Sequence, residues 1–395
     1  MTQFLSQAVV AGHICLDIIP EFFDGDILPE PGELVQVGPA IVSTGGPVSN
    51  TGLALFHLGI DTKLMGKVGK DAFGAIVVDL VKARNPKLSD GIIVADGETT
   101  SYSVVLNLPD NDRSFLHCPG ANDTFCSDDL KLEDISQTRF FHFGYPPLMA
   151  GMFADDGRDL ENVFSKVKSA GVTTSLDMVM VKKHSAAGQA DWDKILKRTL
   201  PHVDFFLPSI EELLLLLQFS EDQRRWVVEG EEQDQICASY LRELAEILIE
   251  WGTGVVVFKL GTYGMYMRTS GLARLKTMGA GAPQNLEIWA NREILAPIFE
   301  VDHFVGTTGA GDSAIAGFIA ALLRGGSPEK ALMVASAVGA CNVEAADALS
   351  GLQSWEKTEM RIKNGWRRLP TRINEPGWSL DPISETWLGP FDFHS

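Results

Sequence analysis

From Val9 to about Ala348, apolar runs of strand length alternate with segments of helix length, and Gly or Pro marks most of the junctions. This alternation restricts the fold more than any other feature, because parallel strands need long crossover connections that are usually helices. It predicts an α/β fold with a mostly parallel sheet, with strands at residues 9–12, 64–68, 140–143, 173–177, 205–207 and 255–260. Pro47 suits a first helical position and Gly59 a helix stop, so a helix is expected over residues 47–58. Two stretches interrupt the rhythm. Residues 18–43 are rich in Gly, Pro and acids, and in 98–117 the runs TTSYSVVLNL and RSFLHC flank the turn PDND, which reads as a β-hairpin. Inserted strands of this kind are candidates for a lid.

After residue 353 the character changes again. Four of the eight tryptophans, Trp355, Trp366, Trp378 and Trp387, fall in this tail, where Pro and Gly preclude a long helix. Packing back onto the α/β unit is the expectation for them, with an oligomer contact, such as a homodimer's, or a lectin-like stacking surface as the alternative uses. The leucines of the acidic stretch 211–250 recur at helical spacing, so its charges are expected on solvated helix faces.

Across 395 residues, 33 Lys and Arg against 52 Asp and Glu leave a net charge of −19, which argues against a nonspecific grip on nucleic acid or an anionic membrane. The five cysteines lack the paired spacings of a zinc site or a disulfide framework. No apolar stretch reaches membrane-spanning length, and the N-terminal run reads as a strand, so a cytoplasmic protein acting on small molecules is expected.

The segment Gly306-Thr307-Thr308-Gly309-Ala310-Gly311-Asp312-Ser313 precedes AIAGFIAALLRGG, an apolar helix with a glycine stop. Glycines before a helix aim backbone N–H groups at open space, where the helix dipole favours an anion. Three chemistries compete for this loop. As a dinucleotide fingerprint (Gly309, Gly311, Ala314) it lies late in the chain and is followed by a second helix, expected at 328–348, instead of a strand. As a phosphate-binding Walker loop it carries Asp312 where a lysine is required. As a phosphoryl-transfer site it uses Asp312 to accept a proton from an alcohol, while the adjacent amides hold phosphoryl oxygens. An Asp that merely caps its helix is the structural alternative.

The sequence TTGAGDSAIAGF resembles the C-terminal signature of the ribokinase, or PfkB-type, carbohydrate kinases, and other segments occur in that family's order. Gly12-His13-Ile14-Cys15-Leu16-Asp17 is similar to the motif whose Asp binds sugar hydroxyls. Gly45-Gly46-Pro47-Val48-Ser49-Asn50 resembles GGxxxN, with glycines for close approach and an Asn for hydroxyls. Gly66 to Gly74 matches GxVGxDxxG. Leu207 to Glu212 is similar to NxxE, whose Glu organises magnesium, and Lys259-Leu260-Gly261-Thr262-Tyr263-Gly264 resembles the nucleotide-contacting loop.

The resemblance implies a three-layer αβα sandwich with a small β lid: a kinase domain over residues 1–353, carrying the lid segments, and an extension over 354–395. It implies ATP with Mg2+ as donor and a sugar, or another small polyol, as acceptor. Asp312 would be the base, with the amides of Gly309, Ala310 and Gly311 as anion hole. Asp17, Gly45, Gly46, Asn50 and Arg113 would bind the acceptor. Lys259, Gly261, Gly264 and Ser336 would bind ATP, and Glu212 the metal. A nucleoside acceptor, and a ligand sensor without turnover, are the alternatives on the same fold.

Two positions depart from the family pattern. Gly306 stands where the family usually has an Asp that helps bind a monovalent cation, which puts potassium activation in doubt. Ser209 replaces the Asn of NxxE, so the surroundings of the metal must differ. Asp177 ends a strand on the ligand-binding edge, where it serves either function or a helix cap. His142 lies within an apolar strand and is expected in the core.

Overall fold

The computed structural model describes residues 6–23, 31–108, 114–218, 226–228, 235–373 and 375–392. In chain order the strands are β1 Ala8–Gly12, β2 Cys15–Pro20, β3 Ala40–Gly45, β4 Thr62–Gly69, β5 Ile92–Ala95, β6 Tyr102–Leu106, β7 Ser114–Cys118, β8 Phe140–Gly144 and β9 Thr173–Asp177. There follow β10 Phe205–Phe206, β11 Val227–Val228, β12 Gln235–Ile236, β13 Val255–Lys259, β14 Met265–Thr269, β15 Glu293–Ala296, β16 Arg372–Ile373, β17 Ser379–Asp381 and β18 Thr386–Leu388.

An eleven-stranded sheet in the order β17-β18-β15-β14-β13-β10-β9-β8-β1-β4-β5 forms the middle layer. From β5 to β13 every pair is parallel; beyond β13 every pair is antiparallel. The central strand β1 (AVVAG) is buried throughout, as a parallel strand covered on both faces must be. Its period of two sorts the core. Ala8 and Val10 join the cluster that includes Val48, Ile315 and Leu332, while Val9 and Ala11 join the opposite one with Phe164, Ile195 and Leu241.

The helix Ala310–Leu323 is apolar on nearly all sides because it lies inside the layer it belongs to, packed on the helices Pro47–His57 and Pro328–Asn342. The second of these was expected to run to 348 but ends at Asn342. There the Asn342 Nδ2 donates to the Ala348 carbonyl (2.7 Å), folding the chain back so that Ala348 sits against Gly309.

Both interruptions of the rhythm contribute to a separate four-stranded sheet, β3-β2-β6-β7. The expected hairpin is the antiparallel pair β6–β7; its turn, with Arg113, lies outside the described residues. The acidic stretch is helical at Ile210–Leu216 and Ala238–Glu250, with the short strands β11 and β12 between them.

The tail threads back over the body. β18 pairs with β15, extending the large sheet, and β16 pairs with β12. Trp366 stacks on Phe299 at 4.6 Å and Trp355 receives the Arg324 guanidinium at 4.2 Å. Among the described residues, no helix is long and apolar enough to cross a membrane.

Candidate active site

Gly309 opens the helix Ala310–Leu323 with φ 73°, and a Cβ there would lie 2.5 Å from that of Ala348, so only glycine fits. This turn drops Asp312 into the first helical turn, 2% exposed. Its carboxylate accepts from Asn50 Nδ2 (3.0 Å) and Tyr145 OH (2.9 Å) on Oδ2 and from Thr51 Oγ1 (3.2 Å) on Oδ1. Burial raises the Asp312 pKa above the usual carboxylate range, opposed by Asn50, by the nearby Lys259 charge, and by Tyr145 and Thr51. A carboxylate has about four acceptor positions, so Oδ1, with one bond, keeps capacity for a further donor.

Asn50 and Thr51 are consecutive on the helix Pro47–His57, whereas Tyr145 follows β8 with φ 64°, a conformation uncommon for a non-glycine residue. Sequence reasoning missed Tyr145 and Thr51. Tyr145 was within reach of it, because it follows a central strand on the edge where such sheets bind ligands.

Beside this carboxylate, Lys259 at the end of β13 donates to Asp177 Oδ1 at the end of β9 (2.7 Å). A Cβ on Gly311 would lie 3.5 Å from Lys259 Nζ, which puts the ammonium at the mouth of the helix N-terminus. Burial works against this ammonium, yet Asp177, Glu212 and Asp312 outweigh it and hold the lysine pKa above its ordinary value. Burial drives the Asp177 carboxyl upward, Lys259 opposes it, and Glu212 and Asp312 add to the rise. Removing one partner of a buried pair leaves an uncompensated charge, so Asp177→Ala is expected to cost about 3–5 kcal/mol in urea unfolding. A loss below about 1 kcal/mol, the range of exposed pairs, would show the pair is not buried in solution.

The Ser209 departure has a local explanation. Its Oγ accepts from the Glu212 N–H (3.2 Å) and the Glu212 carboxylate accepts from the Ser209 N–H (2.8 Å), a reciprocal capping box for the helix Ile210–Leu216. Ser209 therefore orients Glu212 through the backbone. Magnesium usually takes one or two carboxylates, waters and substrate phosphates. Glu212, with one oxygen engaged by Ser209, and the partnerless, buried Asp177 Oδ2 fit that mode. No group of three His, Cys, Asp or Glu able to hold a metal occurs among the described residues.

The other expected residues take the following places. The Ala310 N–H turns back to the Thr307 carbonyl (3.1 Å) and is not open to an anion in this conformation. Asn50, expected at the acceptor, spends its amide on Asp312; its Oδ1 is buried without a partner. A Cβ on Gly45 would meet the Asp17 carboxylate at 2.3 Å and one on Gly46 would meet His13 Nδ1 at 2.5 Å, so these glycines make room for the chain itself. Asp17 lies on lid strand β2, where burial pushes its carboxyl up to about 6 against bonds from Cys15 and Ser103. Gly261 and Gly264 frame the turn after β13, both at positive φ. Ser336 is buried on the helix Pro328–Asn342 with a hydroxyl lacking a partner. His142 is a core residue, its Nδ1 2.7 Å from Ser175 Oγ.

A mostly parallel αβα sandwich with a β lid, carrying a buried carboxylate at a glycine-opened helix N-terminus, defines a ribokinase-type fold. The sequence profile of the pfkB family carbohydrate kinases matches residues 6–355, and the chain belongs to that family. It is 27% identical over 300 residues to an uncharacterized sugar kinase of Archaeoglobus fulgidus, covering 76% of this chain and 98% of the relative. It is 24% identical over 331 residues to the 2-dehydro-3-deoxygluconokinase of Bacillus subtilis, covering 83% and 89%. The ribokinase of Arabidopsis thaliana, solved with ribose and ATP, superposes with a TM-score of 0.66 at 22% identity over 91% of this chain and 99% of that one.

Proposed function

We propose that this kinase transfers the γ-phosphoryl group of ATP to a hydroxyl of a sugar or sugar-like molecule, with Asp312 as the general base. The observation that carries the reading is the buried Asp312 carboxylate at the N-terminus of an apolar helix, oriented by Asn50, Thr51 and Tyr145. The acceptor hydroxyl would give its proton to Oδ1 as its oxygen attacks phosphorus, and the bridging oxygen leaves with ADP. Amides of Gly309 and Gly311, and that of Ala310 once released from Thr307, would hold the equatorial oxygens, with Lys259 offering a fixed positive charge beside them. Magnesium, held partly by Glu212, would neutralise phosphate charge. Gly261, Gly264 and Ser336 would receive the nucleotide, and Asp17 and the free Oδ1 of Asn50 the acceptor's other hydroxyls. A coupled ATP-consumption screen over sugars and nucleosides tests the reading; ligand binding with no turnover on any acceptor would replace it with a sensor.

The Asp17 pKa gives a pH prediction. Below about 6 its carboxyl takes up a proton and ceases to be a charged acceptor of hydroxyl bonds, so acceptor KM is expected to rise there. The linkage runs the other way for stability. The folded pKa exceeds the unfolded one, so this group favours the folded state at low pH, and the contribution is lost as pH rises through about 6. Asp17→Asn should then raise Tm more at neutral pH than near pH 4, while weakening acceptor binding at neutral pH. An equal Tm change at both would contradict it.

A further inference from the structure

A cavity of about 380 Å³ lies between the lid and the catalytic loop, reaching from Asp17, Ser43 and Thr44 on one side to Thr308 and residues 346–348 on the other. Its charged lining among the described residues consists of carboxylates: Asp17, Glu21 and Asp347. Burial works against the Asp347 carboxylate, but the Ser350 hydroxyl and the N–H groups of Leu349 (2.8 Å) and Ser350 (2.7 Å) donate to it and hold its pKa below the usual carboxylate value. Apolar walls come from Ile19, Pro20, Phe22, Pro39, Ile41 and Val105. Lys67, within the segment Gly66 to Gly74, is already paired with Glu98 (3.1 Å) and Asp129 (3.6 Å) and donates to the Thr124 carbonyl (3.2 Å). It does not line the cavity.

We infer that this cavity admits an uncharged acceptor, with hydroxyls against Asp17 and an apolar face or substituent against Ile19, Phe22 and Val105, and rejects sugar acids and sugar phosphates. The inference rests on the kinase reading for the cavity's role as acceptor site. Its physical basis is the like charge: an anionic group would be brought beside three carboxylates, Asp17 and Asp347 half-buried and Glu21 at the exposed rim, with no cation among the described lining residues to pair with, and such juxtapositions are unfavourable. Apolar walls with a few convergent polar groups are the usual makeup of a site for a small, partly apolar ligand. The inference would set the chain apart from its Bacillus subtilis relative, which is named for a sugar acid.

The test measures both turnover and binding for ribose, fructose and adenosine against 2-dehydro-3-deoxygluconate and ribose 1-phosphate. The best uncharged acceptor should exceed the best anionic one in kcat/KM by about 10²-fold or more, the scale of discrimination by like-charge repulsion. In Glu21→Gln combined with Asp347→Asn that ratio should fall by about tenfold, because two of the repelling charges are gone. A sugar acid or sugar phosphate turned over best would overturn the inference and leave the kinase reading standing. Calorimetric binding of an uncharged acceptor, with no ATP consumed on any acceptor, would support the inference and overturn the kinase reading. Failure of both ligand classes to bind would overturn the inference.

Discussion

Asp312→Asn is expected to lower kcat for the best acceptor by about 10²- to 10⁴-fold, the usual contribution of a positioned general base. The amide has nearly the shape of the carboxylate, so the Oδ position facing Asn50 and Tyr145 can still accept both bonds, and its NH2 can donate to the Thr51 hydroxyl. The fold should therefore survive, and melting should move little or upward, because burial no longer penalises a charge at this position. KM for ATP should be nearly unchanged, since the amides and Lys259 remain in place. Tyr145→Phe serves as the companion variant. Losing one donor lets burial raise the Asp312 pKa further, so the acid limb of kcat should move to higher pH with the alkaline rate largely kept. An Asp312→Asn enzyme as fast as the parent would end the proposed mechanism, and an unmoved limb in Tyr145→Phe would remove Tyr145 from it.

Ending the chain at residue 353 should cost it solubility or most of its stability. The tail covers an edge of the large sheet, so truncation would leave β15 with an open row of backbone donors and acceptors, a template for aggregation. It would also strip partners from buried charges. Arg292, with a side chain 5% exposed, donates from Nε to both oxygens of Asp392 (2.9 Å each), and Glu293, fully buried, accepts from the Phe391 N–H (3.2 Å) as well as from Arg242 (2.7 Å). Arg292 keeps its contact to Glu329, so the milder Asp392→Ala should cost about 1–3 kcal/mol, the penalty for a buried group losing one partner. Sedimentation and thermal melting of both variants check this. A soluble truncated chain with parental Tm and activity would mean that the tail packs there without stabilising the body.

The central strands and the glycine-opened helix were legible in the sequence because their signals are local. Residues 173–177 form β9 as expected, and the expected apolar helix forms but begins at Ala310, four residues earlier than read, because Gly309 caps it and draws Asp312 into its first turn. The lid was legible as two interruptions of the rhythm and as the hairpin β6–β7. Its pairing of β2 with β6, strands far apart in the chain, has no local signal. The tail tryptophans were expected to pack back onto the α/β unit, but the strands that carry the tail there were not legible, since strands as short as β16, β17 and β18 are stabilised by the neighbours they join and not by their own pattern.

The sequence by itself determined the family, the layer order and the aspartate proposed here as base, because glycine conformations, strand periodicity and helix caps depend on near neighbours. What surrounds that base was decided by the tertiary structure. Asn50 turned to Asp312, Tyr145 joined it from another strand, and Lys259 paired with Asp177 across the sheet edge. A buried charge must find its hydrogen bonds wherever the fold brings donors within about 3 Å, and that distance is set by packing, not by spacing along the chain.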